Sequence, residues 1–388
     1  MNRLYLLEPE APGAAWAPFA GVRPLAELRA GMWRIRERWE AAFDTDTTAV
    51  FGAHVEGFSE GDEAPVRPPA PVDGPAVVGA SWFAPSGATV DPAGARRLVH
   101  GDATVGWIVG EGERWSGPHE RGPALEIDGL TLRGTFDLVT ALERFLGADC
   151  ADLEAAPRDG VPDGSLVLGD PRRVVVRGAS VEPGVVFDVR QGTVVLETGA
   201  EVRHGARLEG PLYIGPGTRV LGGFLRGCSL GPECRVRGEV AASVFLGYAN
   251  KSHDGFVGHS VVGHWVNLGA GTTTSNLKNT YGPVRLELEG TRIETGRLNL
   301  GTLFGDHVKT AIGTLLATGT VVSAGAHLFG PGGPPKYVPP FAWGPAGEQL
   351  SAEGFLRIAE RVMARRGIEL TRERRESLAR TYGRGRTG

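Results

Sequence analysis

Between Leu196 and Val220 an aliphatic residue stands at every sixth position: Leu196, Val202, Leu208, Ile214 and Val220. An α-helix repeats near 3.6 residues and a pleated strand at two, so neither generates that spacing. A fixed short repeat marks a solenoid, and hexapeptide repeats belong to parallel β-helices. Three hexads close one triangular coil of about eighteen residues, with the sixth-position side chains pointing inward. The phase returns at Phe304, Thr310, Leu316, Val322 and Leu328. Between the two runs, Leu230-Gly231, Val257-Gly258, Val262-Gly263 and Leu268-Gly269 mark further corners. Glycine suits such corners because it lacks Cβ.

At 388 residues the chain exceeds the usual single domain, and its organisation reads as three parts. Residues 1–156 do not follow the six-residue period. Trp33 to Phe43 and Phe136 to Leu146 predict helices, while Leu4 to Leu7, Val77 to Ser81 and Val105 to Val109 predict strands, which makes a small α/β domain. Pro157 to Gly164, rich in Gly, Pro and Asp, predicts a hinge. The repeats occupy 165–330 and are interrupted at 277–300, where alternating Val284, Leu286 and Leu288 predict a projecting strand or hairpin. Residues 331–388 form a proline-dense loop and then an amphipathic helix from Gln349 to Arg366, placed to cover an open end of the solenoid.

Composition narrows the function. A net charge of -4 and a pI near 6.2 give no footprint for nucleic acid. The opening MNRLYLLEPE lacks the apolar core of a secretion signal, and no apolar run approaches the roughly twenty residues of a membrane helix. The expectation is a cytoplasmic soluble protein. Cys150, Cys228 and Cys234 show no metal-site spacing and read as buried, reduced thiols.

The densest polar cluster runs from Asn250 through Lys251, Ser252, His253 and Asp254 to His259, followed by Asn267-Leu268-Gly269-Ala270-Gly271-Thr272 and by Asn276-Leu277-Lys278-Asn279. Leu246 and Val262 are sixteen apart, a distance that no whole number of hexads spans, so a bulge carrying His253 is expected to absorb the mismatch. A histidine near its ordinary pKa can serve as general base for an amine attacking an acyl group. Amides such as Asn267 and Asn276 can orient a sugar hydroxyl or a phosphate, and Gly-Ala-Gly exposes backbone N–H groups to an oxyanion. The blander reading makes the asparagines corner ladders and the histidines solvated surface.

From Ser243 to Gly282 the chain, carried by NKSHDGFVGHSVVGHWVNLGAGTTTSNLKNTYG at 250–282, resembles the acetyltransferase half of the bifunctional N-acetylglucosamine-1-phosphate uridyltransferase/glucosamine-1-phosphate acetyltransferase family, the GlmU-like family. His307-Val308-Lys309-Thr310 and FGPGGPPK belong to the same likeness, and the whole chain is similar to the shorter sugar nucleotidyltransferases grouped with it. The resemblance implies a left-handed parallel β-helix, with His253 on the family's acetyl-transfer base and Asn267 and Asn276 on its sugar-contacting asparagines. Phe256 stands where the family has a tyrosine. The lysine expected to hold the sugar phosphate is replaced near Val240-Ala241-Ala242-Ser243, so Lys251 and Lys278, with Asn250, stand as candidate substrate contacts. The resemblance further implies a homotrimer with acetyl-CoA between neighbouring β-helices, Lys309 and the backbone around Ala270 on the CoA side, and an amino sugar phosphate or nucleotide sugar as acceptor. Residues 1–156 are similar to the nucleotidyltransferase half in shortened form. They lack a G-x-G-T-R loop after the first strand and an aspartate in Val77-Val78-Gly79-Ala80-Ser81. Arg23 and Arg29 are the candidates there for a nucleotide phosphate, with Mg²⁺ required only if that domain is active.

Two other readings compete. His259 and His264 beside His253 would suit a metal lyase of the γ-carbonic-anhydrase kind, another hexapeptide trimer. The missing loop and tyrosine would suit a non-catalytic sugar-nucleotide-binding trimer.

Overall fold

The computed structural model describes residues 3–288, 290–345 and 347–385. Its N-terminal part is a seven-stranded mixed sheet. Leu4–Leu7 lies inside it, parallel to Thr47–Phe51 on one side and Ala76–Ala80 on the other. Ala103–Val109 then runs antiparallel to Ala76–Ala80. Helix α1 (Ile35–Phe43) lays Trp39 on the sheet, where its indole Nε1 donates to Ala80 O and Phe83 O, each at 3.1 Å. Gly79 makes that approach possible, because a Cβ there would meet the Trp39 ring at 2.7 Å. Helix α2 (Asp137–Asp152) closes the domain, longer than the stretch the sequence marked.

From Leu166 onward the chain winds as a parallel β-helix, consistent with the left-handed form. One face carries nine strands, from Val174–Val176 to Tyr337–Val338. A second carries six, from Leu166–Leu168 to Phe256–Gly258. A third carries five, ending at Asn250–Lys251, and the single-rung bridges Asn250 to Asn267 to Lys309 continue it into Lys309–Thr310 and His327–Leu328. The strand ladder therefore runs past residue 330 into the proline-dense segment. The six-residue spacing puts successive hexad residues on successive faces, and every residue of the Leu196 to Val220 series is at most 1 % exposed. Stacked through the coils are Val176, Leu196, Ile214, Leu230, Phe245, Val262, Phe304, Val322 and Val338. Each such side chain removes apolar surface from water at roughly 25 cal/mol per Å².

The rhythm breaks in a different place from the one expected. Phe245, not Leu246, is the inward residue pairing with Val262, and Lys251 takes the next hexad position inside the solenoid, above Val236. Val257 follows six residues later, so the His253 loop keeps phase. The shortfall falls between Val257 and Val262, at the corner where His259 turns with φ 48°. Leu246 was misassigned because its aliphatic side chain is also buried, in the core beneath the α/β domain.

That domain packs on the nine-stranded face. Val175, Val195, Tyr213, Val244, Val261, Leu303 and Val321, which alternate with the inward residues, share one apolar core with α1 and α2. The projecting hairpin, Arg285–Leu288 with Thr291–Glu294, joins the same core through Val284, Leu286 and Leu288. The tail holds two helices, α3 (Ala352–Ala364), capped by Ser351, and α4 (Arg372–Arg384), capped by Thr371. Tyr382 stacks on Phe355, and its hydroxyl donates to Leu350 O at 2.9 Å. Helix α4 lies against the α/β domain, with Arg380 Nη2 donating to Gly57 O at 2.8 Å and Arg384 Nη2 to Glu56 O at 2.9 Å. No described helix is long and apolar enough to cross a membrane.

Candidate functional site

On the third face, one outward residue precedes each inward one, giving the file Glu201, Arg219, Arg235, Asn250, Asn267, Lys309 and His327. Parallel rungs stand about 4.8 Å apart, so this file is a ruler along the solenoid axis. Asn250 Nδ2 donates to Asn267 Oδ1 at 3.3 Å. Past Asn250 the chain leaves the face through Ser252-His253-Asp254-Gly255. Gly255 is required there: its φ is 132°, and a Cβ would sit 2.3 Å from Thr272 O. The His253 ring is exposed to solvent and lines a cavity of about 530 Å³ together with Asn250, Ser252, Asn267, Gly269 and Ala270. Gly269 N donates to Thr310 O and Gly271 N to Asp254 O, whereas among the described residues the Ala270 N–H between them makes no backbone bond.

The opposite wall of the cavity escaped the sequence reading. Arg203, Arg219 and Arg235 rise from earlier coils, and Arg365 and Arg366 reach in from the C-terminal end of α3. Among the described residues no Asp or Glu lines the cavity. In the sequence, Arg219 and Arg235 only precede the hexad residues Val220 and Val236, which is what any solvated rung looks like. Arg366 lies more than a hundred residues further on, yet its Nη2 donates to Asn250 Oδ1.

The other candidates are distributed differently. Lys251 is buried, with Nζ donating to Arg237 O at 2.8 Å and to His253 O at 2.9 Å, and burial lowers its pKa to about 8. It holds the His253 loop from inside and does not line the cavity, because the hexad register turns it inward. Lys309 continues the asparagine file, bonds Trp265 O, and is lowered by burial to about 7. It borders a smaller void of about 210 Å³ shared with Asn250, Asn267, Arg365 and Arg366. Asn276 lies away from His253: its Nδ2 donates to His259 Nδ1 at 2.8 Å, and burial lowers the His259 pKa. Lys278 Nζ is turned onto Pro283 O within its own loop. His264 faces Glu60, with Nδ1 3.1 Å from a carboxylate oxygen, so His253, His259 and His264 point to three different surroundings. Among the described residues no group of three or more His, Cys, Asp or Glu is arranged to hold a metal ion.

In the α/β domain, Glu8 follows the first strand, at the place a phosphate loop would take. Its buried carboxylate accepts from Leu25 N at 2.9 Å and Ala26 N at 3.1 Å, occupying with its own charge the N–H pair at the start of a short 3₁₀ turn. Burial raises the Glu8 pKa to about 7 against those two hydrogen bonds. Arg23 is committed to Glu60 and Asp306. Arg29 donates to Met32 O, while its buried Nε has no partner and borders a cavity of about 460 Å³ between the two domains and the tail.

Residues 5–156 match the family model described as sugar nucleotidyl transferase. The chain is 36 % identical over 151 residues to the bifunctional sugar-1-phosphate nucleotidylyltransferase/acetyltransferase of Sulfurisphaera tokodaii, a match covering 36 % of each protein. It is 35 % identical over 86 residues to the bifunctional protein GlmU of Methanocaldococcus jannaschii, covering 22 % of this chain and 21 % of that one. The bifunctional protein GlmU of Jannaschia sp. is 35 % identical over 157 residues, covering 39 % and 33 %. The chain thus spans about a third or less of the length of these curated relatives. A sugar nucleotidyl transferase match over residues 5–156, the parallel β-helix that follows it and relatives of these names support a GlmU-like family for the chain.

Proposed function

We propose that the protein is a transferase whose β-helix, residues 165–330, moves an acetyl group from acetyl-CoA to the amino group of a sugar phosphate or nucleotide sugar. The observation that carries this reading is the meeting of His253, Asn250, Asn267 and Ala270 around one cavity. His253 accepts the proton of the amine as its nitrogen attacks the thioester carbonyl. The Ala270 N–H then donates to the oxyanion of the tetrahedral intermediate, and collapse expels the CoA thiolate, which takes up the proton that His253 returns. A positioned base of this kind is worth roughly 10²- to 10⁴-fold, and an oxyanion donor roughly 10²- to 10³-fold. Asn250 and Asn267 orient the acceptor. Asn276 acts through His259, which it holds. Ala270 and Lys309, on the later coils, face the CoA side, and Lys278 lies in the loop that borders the acceptor of a neighbouring subunit in a homotrimer.

The α/β domain, residues 1–156, is read as a shortened nucleotidyltransferase. Its phosphate contact is assigned to Arg29, whose Nε is free, and not to Arg23, which two carboxylates hold. Residues 331–388 form the tail, and the working compartment is the cytoplasm.

The test is acetyl-CoA consumption across a panel of amino-sugar 1-phosphates and nucleotide amino sugars, with His253→Ala alongside and sedimentation reporting the oligomer. Turnover by the parent and at least a hundredfold loss in a variant of unchanged oligomeric state are expected. Undiminished turnover in His253→Ala would remove the mechanism.

A further inference from the structure

The cavity beside His253 is asymmetric. On the side of the later coils it is bounded by Ala270 and by Ile312, which is 80 % exposed. On the side of the earlier coils it is bounded by the guanidinium groups of Arg203, Arg219 and Arg235, with Leu221 beside them. Arg219 is 3.1 Å from Glu201, an exposed pair of the kind that contributes little in water, whereas the largely buried Arg235 is 3.1 Å from Glu233 and donates through Nη1 to Gly217 O, Glu233 O and Cys234 O. Arg203 and Arg365 have no carboxylate partner among the described residues. Arg366 spends one nitrogen on Asn250, and its Nε is buried without a partner. Desolvation and the neighbouring Arg235 both disfavour its charge, a cost that a bound anion would offset. With two carboxylates against five arginines, the wall carries an uncompensated charge of about three.

The charge is also spread along the axis. Arg219 and Arg235 occupy consecutive rungs about 4.8 Å apart, Arg203 flanks the same rungs, and Arg366 faces the next one at Asn250. One phosphate monoester is met by a single fork of guanidinium donors, whereas two linked phosphoryl groups present oxygens over about the distance between rungs.

We propose that this wall is a diphosphate site, so that the acyl acceptor is a sugar carried on a nucleoside diphosphate, and that the C-terminal helix α3 supplies Arg365 and Arg366 to bind it. The inference rests on the acetyl-transfer reading for the word acceptor, but the anion site stands on the arginines alone. It also gives the tail a role: α3 closes the third face over its own chain's cavity, and α4 ties that closure to the α/β domain.

The experiment is calorimetric titration of the full chain with inorganic pyrophosphate, inorganic phosphate and uridine diphosphate, with no acyl donor present, repeated for Arg203→Gln, Arg366→Gln and His253→Ala. Pyrophosphate is expected to bind at least tenfold more tightly than phosphate, and uridine diphosphate no more weakly than pyrophosphate. Arg203→Gln and Arg366→Gln should each weaken pyrophosphate three- to tenfold, while His253→Ala leaves it within twofold. Arg203 is an exposed corner residue that is not part of the tail, so its variant reports on the site even where Arg366→Gln loosens α3. Equal affinity for the two inorganic anions, or pyrophosphate binding indifferent to both arginine variants, would overturn the proposal. Loss of the acetyl-transfer reading would appear separately, as absent turnover with pyrophosphate binding intact.

Discussion

Arg23 Nε lies 3.1 Å from Asp306 Oδ2, joining the α/β domain to the β-helix across 283 positions of sequence. The same guanidinium meets Glu60, so two carboxylates converge on one buried cation, and Asp306 also accepts from the His264 backbone N at 2.8 Å. Burial pushes the Glu60 carboxyl up, yet Arg23 and His264 outweigh it and hold it well below the usual carboxylate range. The two domains are thus locked by charge as well as by the apolar face beneath them.

Arg23→Ala leaves Asp306 and Glu60 facing each other without their shared cation. Removing one partner of a buried pair costs about 3–5 kcal/mol, far more than the pair adds over an apolar substitute. Urea unfolding of the full chain should register that loss, and Arg23→Met should recover part of it by filling the space. A change below about 1 kcal/mol in Arg23→Ala would mean that the apolar contact alone carries the interface.

Glu8 gives stability a pH dependence of unusual sign. Burial lifts its folded pKa to about 7 against an ordinary 4.5, so the folded state binds the extra proton between those values. Its contribution is fully present below pH 4.5 and is lost as pH rises through 7, by about 3 kcal/mol for a shift of this size. Glu8→Gln, which keeps one acceptor for Leu25 N and Ala26 N, should flatten the curve between pH 5 and 7. Thermal melts at half-unit pH steps compare the two proteins, and parallel curves would count against the assignment.

How much of this was legible beforehand follows from what periodicity can carry. Leu196 to Val220 announced the coil because each hexad residue has one environment, the solenoid axis. The hairpin at Val284, Leu286 and Leu288 was legible for the same reason, with a period of two. Lys251 was not, since nothing in a polar cluster says which member takes the interior rung, and Leu246 looked like the phase marker that Phe245 is. Arg365 and Arg366 were invisible as site residues, because their position depends on α3 folding back over the third face. The pairing of Glu8 with Leu25 and Ala26 was hidden too, as it requires the turn at Leu25–Glu27 to meet the end of the first strand.

Lys251 is a positioning residue for His253. Its folded pKa of about 8, below the ordinary 10.5, means that the folded state favours the neutral amine, so its contribution to stability rises from pH 8 to pH 10.5. Lys251→Met should abolish that rise and, by removing the donor to His253 O, lower kcat for acetyl transfer about tenfold while KM for acetyl-CoA changes little. A fall in KM-dependent binding with kcat preserved would assign Lys251 to the substrate instead.

Gly255 supplies the sharpest separation between folding and chemistry. An alanine there must adopt φ 132° and press its methyl against Thr272 O, so the loop has to shift before the substitution is accommodated. A backbone held in so sparse a region costs of order 1–3 kcal/mol, which the long stack of hexad residues can absorb without unfolding the coil. The shift falls on the residues between Asn250 and Phe256, and thus on the His253 ring. Gly255→Ala should therefore lower the unfolding midpoint by a few degrees, keep the β-sheet circular dichroism, and reduce acetyl transfer at least tenfold through kcat. Pyrophosphate affinity should stay within twofold, since Arg203 and Arg219 sit on coils that the loop does not touch, and Arg235 is held by Glu233 and by carbonyls of its own coil. If turnover survived at the parental level in a destabilised variant, the His253 loop would be structural, and the base would have to be sought elsewhere on the third face.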